Sequence, residues 1–501
     1  MSSTIDEIRA GFSNKQLDGS KGGAETGNTA QLSGKKRCFA NVRNVEMSAS
    51  EILGQLLEEI EPVDFARVAG GEEVRAVHHR IYSVKNIVHL AKHKGWGVCK
   101  KNGNVYVYTG AHWRRVDPDD MKAFLGAAAL RSGVPRYRAD DYKFRKDLLE
   151  QFHSEAHLTQ PDVSTVRTLI NLQNGTLEID ADGHRLREHR SADFLTHVLP
   201  FEYRENAEAP LFRSFLERVL PDTDSQRVLA EFVGYVFVRG MKLEKALLLY
   251  GTGANGKSVW FDILLALLGA ENASSYSLSS LTDSRNGYYR AMIADKLVNY
   301  ASEINGKLEA SLFKQLVSGE PVEGRLPYEK PFIMRDYAKL IFNANELPRD
   351  VEHTNAYFRR FLIIPFTVTI PEAEQDKGLA GKIIASELPG VLNWALEGLR
   401  RLLQQGRFSE CDAARCAVDQ YKRESDSVQM FVDEQALEPS GVGFETLGEL
   451  YKGYKSFCAD DGYRPLGKQN FSKRLEACGL EKVKRTGWGF GCVRRLDPVP
   501  F

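Results

Sequence analysis

The spacing of hydrophobic and polar residues changes several times along the chain, and its first half combines a polar tail with a mixed domain. Residues 13–36 are polar and rich in Gly, Ser and Lys, which predicts a flexible tail. Ser48 and Glu51 have the spacing of a helix capping box ahead of apolar residues at helical intervals. Residues 104–116 alternate around a Thr-Gly pair, and residues 171–180 contain an Asn-Gly pair, so both predict strands with a turn. These changes divide the region into a tail over 1–47, a short helical segment over 48–80 and a mixed α+β/helical domain over 81–240.

The middle of the chain has the pattern of a parallel α/β sheet. Over residues 245–370 short apolar runs alternate with longer amphipathic stretches, because a strand buried on both faces needs a continuous apolar run. Residues 376–425 have helical spacing. The candidate strands are ALLLY (246–250), KLVNYA (296–301), AKLIFNA (338–344) and FLIIPF (361–366). We therefore predict an α/β core over residues 241–425.

The last segment, residues 426–501, is predicted to form a separate small domain. From Phe444 two helical stretches precede a strand pair around Gly-Trp-Gly, which is the element order of a winged helix. Between Leu466 and Arg495 eight lysines and arginines stand against two glutamates, a local excess that indicates a surface contacting phosphates. A basic face used only for contacts between subunits is the alternative. The residues predicted to contact DNA here are Lys468, Lys473, Arg474, Lys482, Lys484, Arg485 and Trp488.

The composition excludes several classes of protein but does not by itself indicate a binding partner. The 67 basic residues balance 67 acidic residues, so any nucleic-acid surface has to be local. No apolar run is long enough for a membrane helix, and the N-terminus has no apolar segment behind a basic start. The seven cysteines contain no C-x-x-C pair, which argues against a disulfide framework or a zinc site. We predict a cytoplasmic protein that does not interact with membranes.

The strongest chemical signal is Gly251-Thr252-Gly253-Ala254-Asn255-Gly256-Lys257-Ser258, which matches the pattern G-x-x-x-x-G-K-[ST] in full. The apolar run 246–250 leads into this segment and helical spacing follows it, as the pattern requires. Glycines let the backbone curl so that N–H groups point at phosphate oxygens at the positive end of a helix. Lys257 is expected to neutralise the β- and γ-phosphates, and the Ser258 hydroxyl to hold Mg²⁺. The eight residues therefore predict a P-loop that binds ATP and Mg²⁺.

Polar residues after two later strands are candidates for the hydrolysis step. Glu303 follows the strand at 296–301 and is predicted to orient or deprotonate the attacking water and to help hold Mg²⁺ through water. Asp295 precedes the same strand and is expected at the far edge of the sheet. Asn345 follows the strand at 338–344, where an amide can sense the γ-phosphate and position water.

Basic residues later in the core are candidates for action between subunits and on DNA. In a ring-shaped ATPase an arginine ahead of the last strand reaches the γ-phosphate of the neighbouring subunit, and Arg360 is favoured over Arg359 for this arginine finger. Residues 319–334 have hairpin character, with Lys330 near the tip beside Tyr328 and with Arg325 before them. Lysine next to an aromatic ring suits a loop that holds a single strand by phosphate contact and stacking, whereas a plain solvated hairpin is the alternative.

The order of these motifs resembles that of superfamily 3 helicases. The residues that carry the resemblance are LLLYGTGANGKS, NYASEIN, SGEPVEGRLPYEKPF, LIFNANELP and FRRFLIIPF. More closely, the chain is similar to the phage- and plasmid-type replicative helicase (primase C-terminal) family, which is related to the poxvirus nucleoside triphosphatase. LINLQNGTLEI, DFLTHVLPFEY and FVGYVF extend the resemblance over roughly residues 90–425.

The resemblance implies an AAA+-like core in a hexameric, ATP-driven ring that moves on single-stranded DNA, typically 3′ to 5′, during replication of a phage, plasmid or other mobile element. It implies a bacterial host cell and a homo-hexamer, with origin duplex DNA as a plausible target of the last domain. Larger relatives carry a primase domain upstream, whereas residues 1–80 here are expected to be too short for one and leave a primase or another replication protein as a candidate partner.

Two other functions are compatible with the same residues. A P-loop phosphotransferase of small molecules would turn over ATP regardless of DNA, and the basic C-terminal segment argues against it. A DNA-binding replication regulator would use ATP only to assemble and would have no unwinding activity. Replacement of Glu303 by glutamine separates this regulator from a helicase, because it removes hydrolysis while nucleotide binding is retained.

Overall fold

A computed structural model of the chain describes residues 48–93, 97–101, 104–156, 167–302, 304, 309–326, 331–348 and 351–494. The tail predicted over residues 1–47 lies outside this part of the chain. Within the described residues, none of the helices is long and apolar enough to cross a membrane.

Helices and two small antiparallel sheets form the part of the chain before residue 190. The helices are Ala49–Glu58, Phe65–Val68, Ala76–His93, Pro118–Arg131, Arg136–Ala139 and Tyr142–Glu155. The first sheet contains β1 (Val98–Lys101), β2 (Asn104–Tyr108) and β3 (Trp113–Val116), and the second contains β4 (Thr168–Leu172), β5 (Gly175–Ile179) and β6 (His184–Arg187). The predicted hairpin over 104–116 is confirmed, with Tyr108 opposite Trp113. The predicted capping box is also confirmed, because the N–H of Glu51 donates to Ser48 Oγ at 3.2 Å and the N–H of Ser48 to Glu51 Oε2 at 2.6 Å.

A five-stranded parallel sheet forms the centre of the molecule. The strands from here to residue 365 are β7 (Ala246–Tyr250), β8 (Ala273–Ser274), β9 (Val298–Ala301), β10 (Val322–Gly324), β11 (Phe332–Met334), β12 (Lys339–Ala344) and β13 (Phe361–Pro365). The sheet has the order β13-β7-β12-β9-β8, and β10 and β11 pair separately as an antiparallel hairpin. All four strands predicted for a parallel sheet are present in it, with parallel pairing throughout. The α/β prediction for the core is confirmed.

Helices cover both faces of this sheet, as a strand buried on both sides requires. Alternate residues of β7 show this, because Leu247 and Leu249 belong to one hydrophobic cluster and Ala246 and Leu248 to another. The helices in this region are Pro210–Val219, Thr223–Val236, Lys257–Leu268, Leu278–Leu281, Tyr288–Ala291, Ala310–Val317, Asn355–Phe358, Leu379–Ser386, Leu388–Gln405 and Asp412–Glu424. Short 3-10 turns lie at Ser191–Asp193, Ala270–Asn272 and Glu372–Glu374.

The helices Pro210–Val219 and Thr223–Val236 share their hydrophobic cluster with the central sheet. Glu231 on the second of these helices has a fully buried carboxylate. Its oxygens accept hydrogen bonds from the N–H of Ser409 at 2.8 Å and from Arg401 Nε at 3.2 Å. The packing therefore joins these two helices, which precede residue 240, to the helices that follow the sheet.

The C-terminal part has its own small core of apolar side chains. Its helices are Ser427–Glu434, Leu447–Asp460 and Lys468–Ala477, and its strands are β14 (Leu437–Pro439), β15 (Glu445–Thr446), β16 (Glu481–Lys484) and β17 (Trp488–Arg494). β17 pairs antiparallel with the other three strands. Both helices and the strand pair predicted after Phe444 are present.

Candidate functional site

The segment Gly251–Ser258 connects β7 to the helix Lys257–Leu268 at the carboxyl edge of the central sheet. The N–H of Gly251 still pairs as in a strand, donating to the Ala344 carbonyl of β12 at 3.1 Å. A Cβ at Gly251 would lie 2.3 Å from the Phe366 carbonyl oxygen, so a side chain does not fit there. Gly256 precedes the helix with φ of 85°, a conformation that favours glycine. The two glycines therefore set the tight turn that leads into the helix N-terminus.

Hydrogen bonds to the segment after β13 hold this loop in place. Asn255 Nδ2 donates to the Phe366 carbonyl at 3.0 Å, and the N–H of Ile370 donates to the Ala254 carbonyl at 2.8 Å. Ala254 itself has φ of 49°. Because its ends and its middle are fixed, the loop presents its remaining N–H groups at the positive end of the helix Lys257–Leu268.

Lys257 is enclosed by the loop that it follows. Lys257 is only 7% exposed. Its Nζ donates to the Gly251 carbonyl at 2.5 Å and to Asn255 Oδ1 at 3.0 Å. Burial lowers the pKa of this ammonium group. Both partners are neutral, so the positive charge of Lys257 is not balanced by them, and an anion in the loop would supply that balance. Ser258 lies exposed in the first turn of the helix.

The ends of the neighbouring strands meet at the same edge of the sheet. Ala344 of β12 is opposite Tyr250 of β7, so Asn345, which follows directly and is exposed, lies beside Gly251. β9 ends at Ala301, opposite Phe342 of β12, on the other side of β12 from the loop. Glu303 lies outside the described residues, two positions beyond the end of β9. The structure thus brings Asn345 to the loop, while the position of Glu303 stays a prediction.

The two candidate finger arginines have different surroundings. Arg360 is only 8% exposed, and its guanidinium donates to Ser318 Oγ at 2.9 Å and to the Ala356 carbonyl. The side chain of Arg359 is 62% exposed and forms an ion pair with Glu244 at 2.9 Å. The assignment of Arg360 as the finger stays a prediction, and the structure adds that its guanidinium has internal partners whereas that of Arg359 faces solvent.

Glu244 is a residue of this cluster that the sequence pattern did not indicate. Its carboxylate lies 2.9 Å from Arg359 and 3.4 Å from Arg360, and its backbone has φ of 52°. A positive φ is uncommon for glutamate and marks a position where the surrounding structure fixes the backbone. A charged residue directly before an apolar strand gives no sign of such a conformation, so only the fold reveals it.

The predicted hairpin over 319–334 is present as β10 and β11, with Val322 opposite Met334 and Gly324 opposite Phe332. Arg325 lies directly after β10, and its N–H donates to the Gly287 carbonyl at 3.2 Å. Tyr328 and Lys330 lie outside the described residues. The hairpin fold of this segment is therefore confirmed, and the DNA contacts of its tip stay a prediction.

The C-terminal part carries an exposed basic surface around one tryptophan. Trp488 at the start of β17 is 57% exposed, and the ammonium groups of Lys482 and Lys484 lie 5.5 and 5.7 Å from its ring centre. Lys468 and Lys473 are exposed on the helix Lys468–Ala477. Exposed cations beside an exposed aromatic ring form the kind of surface that contacts nucleic acids.

Two of the arginines predicted for this surface have contacts inside the protein. Arg485 donates to the carbonyls of Val442 and Gly441 at 2.9 and 2.8 Å. Arg474 forms a hydrogen-bonded ion pair with Asp426, whose side chain is only 7% exposed and also accepts from the N–H of Val428 at 3.1 Å. A DNA contact of Arg474 stays a prediction, and the structure gives its guanidinium a second role, the ion pair with a buried carboxylate at the start of the helix Ser427–Glu434.

Replacement of Arg474 by alanine is expected to lower the free energy of unfolding by about 2 kcal/mol, because it leaves the Asp426 carboxylate buried without its cation. Lys473→Ala, one residue earlier on the exposed face, is the matched control and should change stability by less than about 0.5 kcal/mol. Urea unfolding of both variants checks this. Equal stability losses for the two variants would contradict the structural role of Arg474.

Three segments of the chain match known protein families. Residues 84–221 match the family described as D5 N terminal like. Residues 249–360 match a family of unknown function (DUF5906), and residues 423–490 match the family described as poxvirus D5 protein-like.

Individual relatives are proteins of large DNA viruses. The chain is 29% identical over 344 residues to primase C962R of African swine fever virus (isolate Pig/Kenya/KEN-50/1950), covering 63% of this chain and 36% of the relative. It is 23% identical over 209 residues to helicase L207/L206 of Acanthamoeba polyphaga mimivirus, covering 40% of this chain and 22% of the relative. It is 24% identical over 332 residues to helicase 121R of Invertebrate iridescent virus 3, covering 58% of this chain and 34% of the relative. The chain thus spans about a third or less of the length of these relatives.

Among solved structures, the chain is similar to the apo form of the NrS-1 C terminal region. The two share 12% sequence identity with a TM-score of 0.48, over 83% of this chain and 99% of that one.

Proposed function

We propose that the chain is a member of the D5-type primase-helicase family related to the poxvirus nucleoside triphosphatase, whose models match residues 84–221 and 423–490, and that it is an ATP-dependent DNA helicase of superfamily 3. In this proposal it works as a homo-hexameric ring, moving 3′ to 5′ on single-stranded DNA, in replication of a phage, plasmid or virus. The observation that carries the proposal is the loop Gly251–Ser258 between a buried strand and a helix, with the Lys257 ammonium enclosed by neutral acceptors.

The loop suits the phosphates of ATP as a P-loop. The lack of a side chain at Gly251 lets the loop turn tightly against the Phe366 carbonyl, and the unbalanced charge of Lys257 calls for an anion. In the proposed site Lys257 would neutralise the β- and γ-phosphates, and the exposed Ser258 hydroxyl would hold Mg²⁺, which would supply positive charge against the phosphates. The rest of the loop contributes backbone N–H groups from Thr252, Gly253, Ala254, Asn255 and Gly256, while the N–H of Gly251 stays paired with the Ala344 carbonyl.

In this proposal, hydrolysis uses a residue after β9, a residue after β12 and an arginine of the neighbouring protomer. Glu303 orients or deprotonates the attacking water and helps hold Mg²⁺ through water, and Asn345 beside the loop senses the γ-phosphate. The exposed Arg359 is donated to the site of the neighbouring protomer as the arginine finger. Arg360 then fixes the end of the helix Asn355–Phe358 through Ala356 and Ser318, and so positions Arg359.

Two surfaces are proposed to contact DNA. The hairpin of β10 and β11 would hold single-stranded DNA through Arg325, Tyr328 and Lys330 near its tip. The C-terminal part, with the element order of a winged helix, would contact origin duplex DNA through Lys468, Lys473, Lys482, Lys484, Arg485 and Trp488. The proposal keeps the domain limits given above for the tail, the mixed domain, the core and the last domain. A primase or another replication protein is the candidate partner of the chain.

The first test is the rate of ATP turnover with and without single-stranded DNA. A translocating motor is expected to turn over ATP several-fold faster with a homopolymeric oligonucleotide, because hydrolysis is coupled to movement along the strand. Glu303→Gln, which retains the shape of the side chain, is the control for coupled chemistry and should bind nucleotide without turning it over. An ATP turnover rate that is the same with and without DNA would contradict a translocating motor and favour a phosphotransferase. Unchanged biological activity of Glu303→Gln would favour the ATP-assembled regulator.

A further inference from the structure

A strongly basic cleft lies at the amino edge of the central sheet, opposite the edge that carries the Gly251–Ser258 loop. Lys245 and Lys296 stand one and two residues before β7 and β9, and Lys339 begins β12. Since the three strands are parallel, their amino ends meet at one edge. The cations that line the cleft are Arg239, Lys242, Lys245, Lys296, Arg335 and Lys339, and the only acidic residues among its described lining are Asp295 and Asp336.

Three of the six cations have no counter-ion among the described residues. The side chains of Arg239, Lys242 and Arg335 belong to exposed residues, and within the part of the chain that the structure describes none of them forms an ion pair. The other three are held by neutral groups, which leaves their charge in place. Thus Lys245 Nζ donates to the Arg359 carbonyl at 2.5 Å, and Lys339 Nζ lies 4.1 Å from the centre of the Tyr235 ring.

The two acids of the lining offset only part of this charge. The Asp295 carboxylate accepts a hydrogen bond of 2.5 Å from the Tyr106 hydroxyl of β2 and has φ of 59°. Asp295 and Asp336 stand against six cations, so the described lining of the cleft keeps a clear excess of positive charge. An excess of this kind, without a partner in the protein, suits a polyanion.

The position of the cleft at the base of the β10–β11 hairpin identifies which polyanion. Gly319 lies shortly before β10 and Arg335 lies directly after β11, and both line the cleft. The two ends of the hairpin are held together there, because Val322 pairs with Met334 and the Tyr337 hydroxyl donates to the Glu320 carbonyl at 2.8 Å. A strand that contacts the hairpin therefore has the cleft at its foot.

We propose that this cleft binds the sugar-phosphate backbone of single-stranded DNA at the foot of the hairpin, without regard to base sequence. The proposal rests on the proposed function, since it adds a second contact for the strand that the motor holds. Tyr235 is buried beneath Lys339, and the Tyr337 hydroxyl donates to the Glu320 carbonyl. The cleft therefore offers cations to the phosphates rather than an aromatic surface on which bases stack. Backbone contact of this type is electrostatic and falls with salt.

The test is the salt dependence of single-stranded DNA binding by the full chain in which Arg239, Lys242 and Arg335 are all replaced by alanine. The matched control replaces Arg190, Lys377 and Arg423, which are exposed and line no part of the cleft. Binding of a fluorescent oligo-dT is measured by anisotropy at several salt concentrations with a non-hydrolysable ATP analogue present. Three lost phosphate contacts should weaken binding at least about tenfold at moderate salt and reduce the log–log slope by about 2.

An unchanged slope in the cleft variant, or an equal loss in the control, overturns the proposal. The proposal is also overturned if the cleft variant changes only ring assembly, as measured by native mass spectrometry, because the cleft would then face a neighbouring subunit. Asp336→Asn provides a second reading that does not depend on a triple substitution, and it should tighten DNA binding several-fold by removing one of the two acids that line the cleft. Looser or unchanged binding of Asp336→Asn also counts against the cleft. The proposed function fails separately, when DNA leaves ATP turnover of the unaltered chain unchanged.

Discussion

Replacement of Lys257 by alanine is expected to reduce ATP turnover by about 10³-fold, because it removes the cation that neutralises the transferred phosphate. Binding of duplex DNA by the C-terminal part should not change, since that surface has its own hydrophobic core and its own cations. Steady-state ATPase assays and duplex DNA anisotropy on the same preparation check both expectations. Loss of hydrolysis together with duplex binding would contradict the assignment of the two activities to separate surfaces.

A folding defect can be separated from this chemical effect. Lys257 Nζ satisfies the Gly251 carbonyl and Asn255 Oδ1, so its removal leaves two loop acceptors to water. The loop lies at the edge of the sheet with Thr252 and Ala254 exposed, so this loss should cost only about 1 kcal/mol of stability. Lys377→Ala, at an exposed site outside the loop, is the control for the loss of one charge. A large drop in melting temperature for Lys257→Ala would mean that the lost turnover reports unfolding.

Arg359→Ala is expected to lower ATP turnover by at least about 10³-fold while nucleotide affinity and stability stay close to those of the unaltered chain. Its guanidinium is exposed and has only the surface ion pair with Glu244, which contributes little to stability. Arg360→Ala should behave differently, because its guanidinium is buried against Ser318 and Ala356. This variant should unfold more easily. Turnover, nucleotide affinity and melting temperature of the two variants decide between them.

A mixing experiment tests whether the finger acts between protomers. Neither Lys257→Ala nor Arg359→Ala alone should hydrolyse ATP, but each retains the part that the other lacks. In an equal mixture, an intact loop of one variant meets an intact finger of the other at about a quarter of the head-to-tail contacts of a ring. Turnover should therefore return to a substantial fraction of that of the unaltered chain. No recovery after the subunits are shown to exchange would contradict a finger supplied in trans.

The elements that could be predicted from the sequence are those with a strong local pattern. Continuous apolar runs located β7, β9, β12 and β13, since only a strand buried on both faces needs such a run. The glycines and the lysine of the 251–258 segment located the loop between strand and helix, because few other sequences allow that turn. Asn345 follows β12 at the same edge as the loop, because the carboxyl ends of parallel strands share one edge, and its role at the γ-phosphate stays a prediction.

Features that depend on distant contacts could not be predicted in this way. Arg359 and Arg360 are adjacent in the sequence, and only the packing against Ser318 and Ala356 makes one buried and the other exposed. Arg474 shares its charge with the exposed lysines around it, but Asp426, 48 residues earlier in the chain, pairs with its guanidinium. Charge is a local property of a residue, whereas burial and pairing belong to the fold.

The sequence by itself determined the parallel α/β core, the order of its strands along the chain, the loop before the helix Lys257–Leu268 and the existence of a basic C-terminal segment. These follow from local periodicity and from residues whose backbone preferences leave few alternatives. The tertiary structure alone decided which arginine faces solvent, which cation is tied to a buried acid, and that six cations from three separate segments meet at the foot of one hairpin. Strand order across a sheet, and therefore which segments become neighbours, is set by packing between residues far apart in the chain.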